Sequence, residues 1–330
     1  MLNMKLKLNN KLFDEDVEQS PTRNGYGEGL VIAGEKDPNV VVLCADLTES
    51  TRSNFFKEKF PGRFVEMGVA EQGMATVAAG MANYGKIPFI SSYAAFSPGR
   101  NWEQIRTTIA LNDVPVKIAG AHAGLTVGPD GATHQMLEDI ALMRAMPNMI
   151  VIYPADSIEA KKATIAAATN GKPTYIRLAR EKTPIVTIEA TPFKIGKAEV
   201  FWTSKDPQVA IIASGPLLYE ALLAAKELTG SHPVIVLNCH TIKPIDEQTI
   251  IHAAKICGAV VTVEEHQIMG GLGGAVAELL SKNIPTPQEF IGMPDCFGES
   301  GQPDELLEKY HMKAKDIMEA VKKAIVRKNS

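Results

Sequence analysis

Short apolar runs of strand length alternate along this chain with longer segments in which apolar residues recur at helical spacing. This alternation is typical of parallel sheets whose two faces are covered by helices. In the first half the pattern predicts strands over 40–45, 64–67, 88–91, 116–121, 150–153 and 174–178. Between them it predicts helices over 71–83, 101–111, 137–145 and 157–169.

The second half repeats the alternation after a break. Residues 183–197 are rich in Pro, Thr and isolated β-branched residues without an apolar stripe, which indicates a linker. Strands then follow over 209–213, 233–237 and 259–263, with helices ending near 228 and covering 247–254, 274–281 and 313–327. We therefore predict an α/β protein with two parallel-sheet-rich, three-layer domains. The predicted parts are an N-terminal extension over 1–20, a first domain over 21–182, a linker over 183–200 and a second domain over 201–330.

Composition and charge narrow the class of protein. A chain of 330 residues with a hydrophobic fraction of 45% is expected to form two domains with buried cores. A net charge of -4, with Lys and Arg scattered, argues against nucleic-acid binding. The chain shows neither a signal-peptide pattern nor an apolar run long enough for a membrane span. The four cysteines lack a CxxC spacing and are expected to be reduced core residues of a cytoplasmic protein: Cys44, Cys239, Cys257 and Cys296.

Two glycine clusters could suggest a dinucleotide site. Residues 25–29 and 270–274 both lack the full GxGxxG spacing, and no strand is predicted before the first cluster. We interpret both clusters as tight turns.

One carboxylate stands at a predicted strand-to-helix junction. Glu71 follows the apolar stretch 63–67 and opens a helix with an apolar stripe. A glutamate in the first turn of a helix usually only complements the helix dipole. For Glu71 considered without its context, we favour this interpretation. The alternative is a catalytic acid whose pKa is shifted by its surroundings.

Six ordered motifs surround this position. They are Pro21–Gly27, Ala45–Thr51, Ala70–Gln72, Ser92–Phe96, His122–Gly124 with Gly128–Gln135, and Tyr175–Arg180. In this order they resemble the pyrimidine-binding half of transketolases. The Gly-Asp-Gly motif of the transketolase diphosphate-binding domain does not occur. The resemblance implies the C-terminal half of a split transketolase, a thiamine-diphosphate-binding pyrimidine domain followed by a transketolase C-terminal domain.

The resemblance implies thiamine diphosphate as cofactor. The aminopyrimidine N1' of this cofactor needs a hydrogen-bonded carboxyl group, and Glu71 matches the residue that supplies it. The apolar neighbours Val69, Ala70 and Met74 are expected to desolvate that carboxyl.

Aromatic and acidic residues complete the implied cofactor site. Phe96 matches the residue that stacks on the aminopyrimidine, and Tyr93 is expected to line the same pocket, with core packing as the alternative for both. The segment 97–101 is one residue longer than in typical transketolases. Asp46 matches an acid near the thiazolium, with a turn-forming Asp at a strand end as the alternative.

The remaining motif residues imply a substrate site. His122 and Asp130 match residues that bind sugar hydroxyls and the carbonyl, and His134 matches one that serves proton transfer at the substrate oxygen. Arg23, Ser50 and Arg180 match a phosphate-binding triad. The spacing of the two histidines fits no common zinc site, and we predict no metal ligands in this chain.

The predicted function is the C-terminal subunit of a transketolase that moves a two-carbon ketol unit between sugar phosphates of the pentose phosphate pathway. An N-terminal subunit would hold the diphosphate and Mg²⁺, in a heterotetramer of two plus two subunits. The alternatives are a split transketolase for a specialised sugar phosphate, the β subunit of a 2-oxo acid dehydrogenase, half of a deoxyxylulose phosphate synthase, and a non-catalytic regulatory homologue. The second domain shows no polar cluster and is interpreted as a scaffold for dimerisation.

Overall fold

A computed structural model describes residues 1–330, which form three sheets and the helices around them. The strands are β1 Gln19–Pro21, β2 Val40–Cys44, β3 Phe64–Glu66, β4 Ile87–Tyr93, β5 Lys117–Ala121, β6 Ile150–Ile152, β7 Thr174–Arg177, β8 Lys182–Pro184, β9 Glu199–Trp202, β10 Val209–Ala213, β11 Val234–Asn238, β12 Thr241–Lys243, β13 Val260–Gln267 and β14 Gln288–Met293. The helices are α1 Thr22–Lys36, α2 Asn54–Lys59, α3 Glu71–Asn83, α4 Trp102–Gln104, α5 Asp139–Arg144, α6 Ser157–Thr169, α7 Leu218–Glu227, α8 Glu247–Cys257, α9 Leu272–Asn283, α10 Pro303–Lys309 and α11 Ala314–Asn329.

The larger sheet has seven strands in the order β12-β6-β7-β5-β4-β2-β3. All neighbours are parallel except β12, which pairs antiparallel with β6. Every residue of β2, β5 and β7 is buried, as expected for strands covered on both faces. The predicted α/β class is confirmed.

The smaller sheet has five strands in the order β14-β13-β10-β11-β9. Only the edge strand β9 runs antiparallel to its neighbour. A buried apolar cluster lies between this sheet and helices α7 and α11, and it includes Leu222, Val236, Ile317 and Val321. Periodicity did not predict β14, an edge strand in which only three of the six residues are buried.

The first glycine cluster is helical, so its interpretation as a tight turn is wrong. Gly25, Gly27 and Gly29 lie inside α1. A Cβ atom on Gly25 would lie 1.7 Å from the Ser157 carbonyl oxygen, and one on Gly29 would lie 2.6 Å from the Thr164 Cβ. Gly25 and Gly29 therefore let α1 pack closely against α6. Helix propensity penalises glycine, and only this packing offsets the penalty.

Two further segments differ from the pattern. The predicted helix over 101–111 is α4 followed by a π-helical stretch over Ile105–Ala110. The predicted linker begins inside β8, which pairs antiparallel with β1, and ends inside β9. The division into four parts stays a prediction.

The two halves of the chain interlock. Strand β12 belongs to the second half of the chain and extends the first sheet. Conversely, the Asn3 amide donates to the Phe201 carbonyl at 2.9 Å, so the N-terminal residues pack on the second sheet. No helix combines the length and the apolar character that crossing a membrane requires.

Candidate active site

The sheet topology brings the predicted site residues to one edge. Tyr93 ends β4, His122 follows β5, and Arg180 lies three residues after β7. Strand β2 leads into the loop that carries Asp46 and Ser50. Because these strands are parallel, their carboxyl ends meet at the same edge, where ligands of open α/β sheets bind.

The Glu71 carboxyl group is buried at the start of α3, with 2% of the residue exposed. Its Oε2 atom lies 2.7 Å from an Arg100 nitrogen, and its Oε1 atom accepts a long 3.4 Å contact from Ser92 Oγ. The Asn101 side chain donates to the Glu71 carbonyl at 3.0 Å. This contact ties the start of α3 to the loop after β4.

Two of the three apolar neighbours that were predicted to bury the Glu71 carboxyl do not cover it. Val69 is 70% exposed and Ala70 is exposed as well. Only Met74 is buried. The loop after β4 encloses the carboxyl instead, and the side chain of Arg100 pairs with it.

Arg100 also covers an aromatic ring. Its guanidinium carbon lies 4.7 Å from the centroid of the Phe96 ring, which is within cation–π range. The Arg100 side chain is 46% exposed. One planar cation therefore contacts both Glu71 and Phe96 while remaining accessible to water.

Two aromatic rings and two imidazoles form a continuous wall. Tyr93 stacks on His122 with ring centroids 3.9 Å apart, and Phe96 lies 6.0 Å from Tyr93. His134 meets the Phe96 ring edge to face at 5.5 Å, and its Nδ1 atom is 2.9 Å from the Thr133 hydroxyl. The structure therefore brings together four of the predicted side chains in one cluster.

His122 combines backbone strain with an unused polar atom. Its φ of 51° lies in the left-handed region, which costs a residue other than glycine about 1 to 3 kcal/mol and is common at functional sites. Burial, followed by the charges of Arg23 and Arg180, lowers the pKa of His122 to about 3. The ring is neutral near pH 7, and its buried Nδ1 atom has no hydrogen-bond partner.

Two predicted phosphate ligands gather beside His122. The Arg23 guanidinium donates to the Ser50 carbonyl at 2.8 Å, and its buried Nε atom has no partner. Arg180 donates to the Val127 carbonyl at 2.8 Å and forms an ion pair with Glu181 at 3.0 Å. Both arginines have guanidinium N–H groups that donate to no protein acceptor, and an anion can accept hydrogen bonds from them.

The two predicted carboxylates outside the pocket wall are exposed. Asp130 ends a 3-10 segment over Leu125–Asp130 and makes no side-chain hydrogen bond or ion pair. Asp46 adopts the left-handed conformation with φ 58°, and its amide donates to Glu66 Oε1 at 2.8 Å. The alternative of a turn-forming Asp accounts for this conformation of Asp46.

Sequence reasoning missed two arginines of the site. Arg52 lies one residue beyond the motif Ala45–Thr51, and Arg100 lies in the segment 97–101 that was noted only for its length. Arg52 donates from Nε to Asn24 Oδ1 at 2.8 Å. A single arginine in a loop gives no signal in sequence, because its neighbours in the fold come from distant segments.

The second half of the chain also supports the site. Glu265, completely buried in β13, accepts from the Thr126 amide at 2.6 Å. The Gln135 side chain donates to the Glu299 carbonyl at 2.9 Å. Both bonds fix the segment that carries His134, so this half of the chain also holds part of the site in place. No three His, Cys, Asp or Glu side chains converge to hold a metal ion anywhere in the chain.

Two family profiles match the chain. The profile described as transketolase, pyrimidine binding domain, matches residues 18–186, and the profile described as transketolase, C-terminal domain, matches residues 196–317. Among solved structures, the chain is similar to a split gene transketolase described as an inactive β4 tetramer. The TM-score is 0.87 at 44% identity, over 93% of this chain and 99% of that one.

Three curated relatives extend the comparison. The chain is 46% identical to a putative transketolase C-terminal section of Methanocaldococcus jannaschii, over 91% of this chain and 96% of that protein. It is 40% identical to the 6-deoxy-6-sulfo-D-fructose transketolase subunit SqwH of Clostridium sp. (strain MSTE9), over 97% and 99%. Human transketolase is 35% identical over 93% of this chain but only 49% of its own length.

Proposed function

This chain belongs to the transketolase family and corresponds to its C-terminal half, and we propose that it is one subunit of a two-subunit, thiamine-diphosphate-dependent transketolase. The assembled enzyme transfers a two-carbon ketol unit from a ketose phosphate to an aldose phosphate, as in the pentose phosphate pathway. The observation that carries this proposal is the buried Glu71 carboxyl beside the Phe96 ring, at the same sheet edge as the two histidines and the arginines.

The residues present fit the aminopyrimidine end of the cofactor. Arg100 is a planar cation that donates to Glu71 and lies over Phe96, and a protonated aminopyrimidine needs the same two contacts. Glu71 would hold the proton at N1', and Phe96 with Tyr93 would hold the ring in place. When bound, thiamine diphosphate supplies the nucleophilic carbon that takes up the ketol unit.

The substrate contacts follow from the same wall of side chains. Neutral His122, with its free Nδ1 atom, would hydrogen-bond the substrate carbonyl or a neighbouring hydroxyl. His134 would move a proton at the substrate oxygen, with Asp130 at the rim binding a hydroxyl. Arg23 and Arg180, together with Ser50, would bind the terminal phosphate.

A partner subunit would complete the site. We propose that it holds the diphosphate and Mg²⁺, and that two copies of each chain form a heterotetramer. Asp46 would face the thiazolium from this chain. The split gene transketolase and the relative named a C-terminal section support a divided enzyme.

A specialised substrate is the second candidate. The relative SqwH is named as a subunit of a transketolase for a sulfonated fructose. A sulfonate, like a phosphate, is an anion that arginines bind, so the arginines fit either group.

Reconstitution tests the proposal. The isolated chain should show no ketol transfer and should bind thiamine diphosphate weakly, because the diphosphate and Mg²⁺ supply most of the charge-assisted contacts. Purification from the native host should recover the N-terminal subunit, and mixing the two subunits should restore both activity and binding. Sustained turnover by the isolated chain, free of any second subunit, would contradict the two-subunit proposal.

A further inference from the structure

A third arginine stands beside the two predicted anion ligands. Arg52 donates from Nε to Asn24 Oδ1 at 2.8 Å and has a 3.4 Å contact from NH1 to the Glu49 carbonyl. Its φ of 65° is left-handed, a conformation that is strained for arginine. A Cβ on Gly27 would lie 2.8 Å from the Arg52 Cβ, so the stem of Arg52 packs on α1 where only glycine leaves room.

The contacts of Arg52 hold its charge near Arg23. Arg23 and Asn24 are neighbours at the start of α1, and Arg23 donates to the carbonyl of Ser50 in the loop that carries Arg52. Burial lowers the pKa of Arg23, and the nearby charge of Arg52 lowers it further. The charges of Arg52 and of the other site cations also oppose protonation of His122.

The three guanidinium groups lack matching negative charge. Glu181 forms the one ion pair among them, with Arg180. Arg23 and Arg52 use their protein contacts on neutral oxygens of Ser50, Asn24 and Glu49. Tyr93, His122 and His134 also face this region. Three cations with one paired carboxylate leave an excess of about two positive charges.

We propose that Arg52 is a third guanidinium ligand of the anion subsite and makes it selective for a dianionic phosphate over a monoanionic sulfonate. This inference rests on the proposed function, because it names which terminal group the substrate carries. A phosphate ester loses its second proton near pH 6, whereas a sulfonate carries one charge at every working pH. The third cation therefore adds more attraction for the phosphate, and the advantage grows as pH rises through about 6.

Binding of unreactive ligands to the full chain tests this without turnover. The probes are ribitol 5-phosphate and the matching 5-deoxy-5-sulfonate, which lack a carbonyl group. Calorimetric titrations at pH 5 and pH 7.5 compare the wild type with Arg52→Gln, Arg52→Lys and Arg327→Gln. Arg327 lies on α11, where it pairs with Glu289, and serves as the matched control.

The wild type should prefer the phosphate about tenfold or more at pH 7.5, the size of one charge-assisted hydrogen bond. The preference should shrink at pH 5. It should fall to about twofold or less in Arg52→Gln, persist largely in Arg52→Lys, and stay unchanged in Arg327→Gln. The sulfonate titration reports any change in protein charge that both ligands experience. Melting temperatures show whether each variant folds. If Arg52→Gln does not fold, the pH dependence of the wild type and the preference of Arg52→Lys still test the inference.

A wild type without preference for the phosphate at pH 7.5 would overturn the inference. So would an Arg52→Gln variant that folds and retains the wild-type preference. Failure of the reconstituted enzyme to transfer ketol units, with an intact Arg52-dependent preference, would overturn the proposed function alone. Normal ketol transfer with a preference independent of Arg52 would overturn this inference alone.

Discussion

Arg100 places a guanidinium nitrogen 2.7 Å from Glu71 Oε2, and its charged group lies over the Phe96 ring. The carboxylate is almost completely buried, whereas the arginine is half exposed. A half-exposed side chain can leave at little cost in desolvation. The two surfaces proposed for the aminopyrimidine are therefore covered by a group that can move away.

Glu71→Gln should leave folding intact and lower turnover by about a hundredfold or more. The amide cannot hold a proton at N1', and the loss of one well-placed catalytic group corresponds to about 3 kcal/mol. Steady-state rates of the reconstituted enzyme measure this loss, with the melting temperature of the complex as control. Near-normal rates would reduce Glu71 to a residue that complements the helix dipole.

Arg100→Met should tighten cofactor binding by up to about fivefold. The variant removes the cation that competes for Glu71, and a partly exposed ion pair contributes about 1 kcal/mol or less. Methionine keeps an apolar contact with Phe96. Thiamine diphosphate titration of the reconstituted enzyme, monitored by tryptophan fluorescence, gives the dissociation constant. Weaker binding in Arg100→Met would mean instead that Arg100 orients Glu71 for the cofactor.

Arg23→Ala and Arg180→Ala should each lower kcat/KM for a phosphorylated acceptor by about tenfold to a hundredfold. A charge-assisted hydrogen bond contributes about 1.5 to 3 kcal/mol, and the loss should appear mainly in KM. An unphosphorylated acceptor such as glycolaldehyde should be affected far less. Equal losses with both acceptors would assign these arginines to the fold or to a subunit interface.

His122→Ala should behave differently from the arginine variants. Because the proposed contact of His122 is at the reacting carbonyl, kcat should fall for phosphorylated and unphosphorylated acceptors alike. Parallel assays with the same two acceptors decide between the two patterns. A loss confined to the phosphorylated acceptor would move His122 to the anion subsite.

The buried His240 should make stability depend on pH in the acid range. Burial lowers its pKa from 6.5 to about 3, so between these values the unfolded chain binds a proton that the folded chain does not. The contribution of His240 to the free energy of unfolding is complete above pH 6.5 and decreases as pH falls toward 3. From pH 7 to pH 5 the loss is about 2 kcal/mol.

Urea unfolding of the wild type, His240→Asn and His252→Asn at pH 5 and pH 7 measures this contribution. The His240→Asn variant should lose about 2 kcal/mol less between the two pH values than the wild type. His252 is exposed on α8, and its variant should follow the wild type. Identical pH dependence in all three proteins would place the acid sensitivity in other groups, such as His122 and His266.

The spacing of apolar residues by itself determined the α/β class and the position of Glu71 at the start of α3. Strands buried on both faces are continuous apolar runs, and an amphipathic helix such as α3 shows its own period, so both are local properties. The sequence also placed Tyr93, His122 and Arg180 at strand ends. Parallel strands then bring those ends to one edge, which made their convergence predictable.

Tertiary structure decided the features that depend on distant segments. The glycines of α1 look like a turn until α6 packs against them, because local propensity opposes a helix there. Arg100 reaches Glu71 across 29 residues of chain, and Arg52 reaches Asn24 across 28. The spacing of apolar residues does not predict such pairs, because the partner of a single loop side chain depends on how distant segments pack. The sequence therefore determined the α/β class and the position of the Glu71 carboxylate. Only the folded chain decided which cations surround the site.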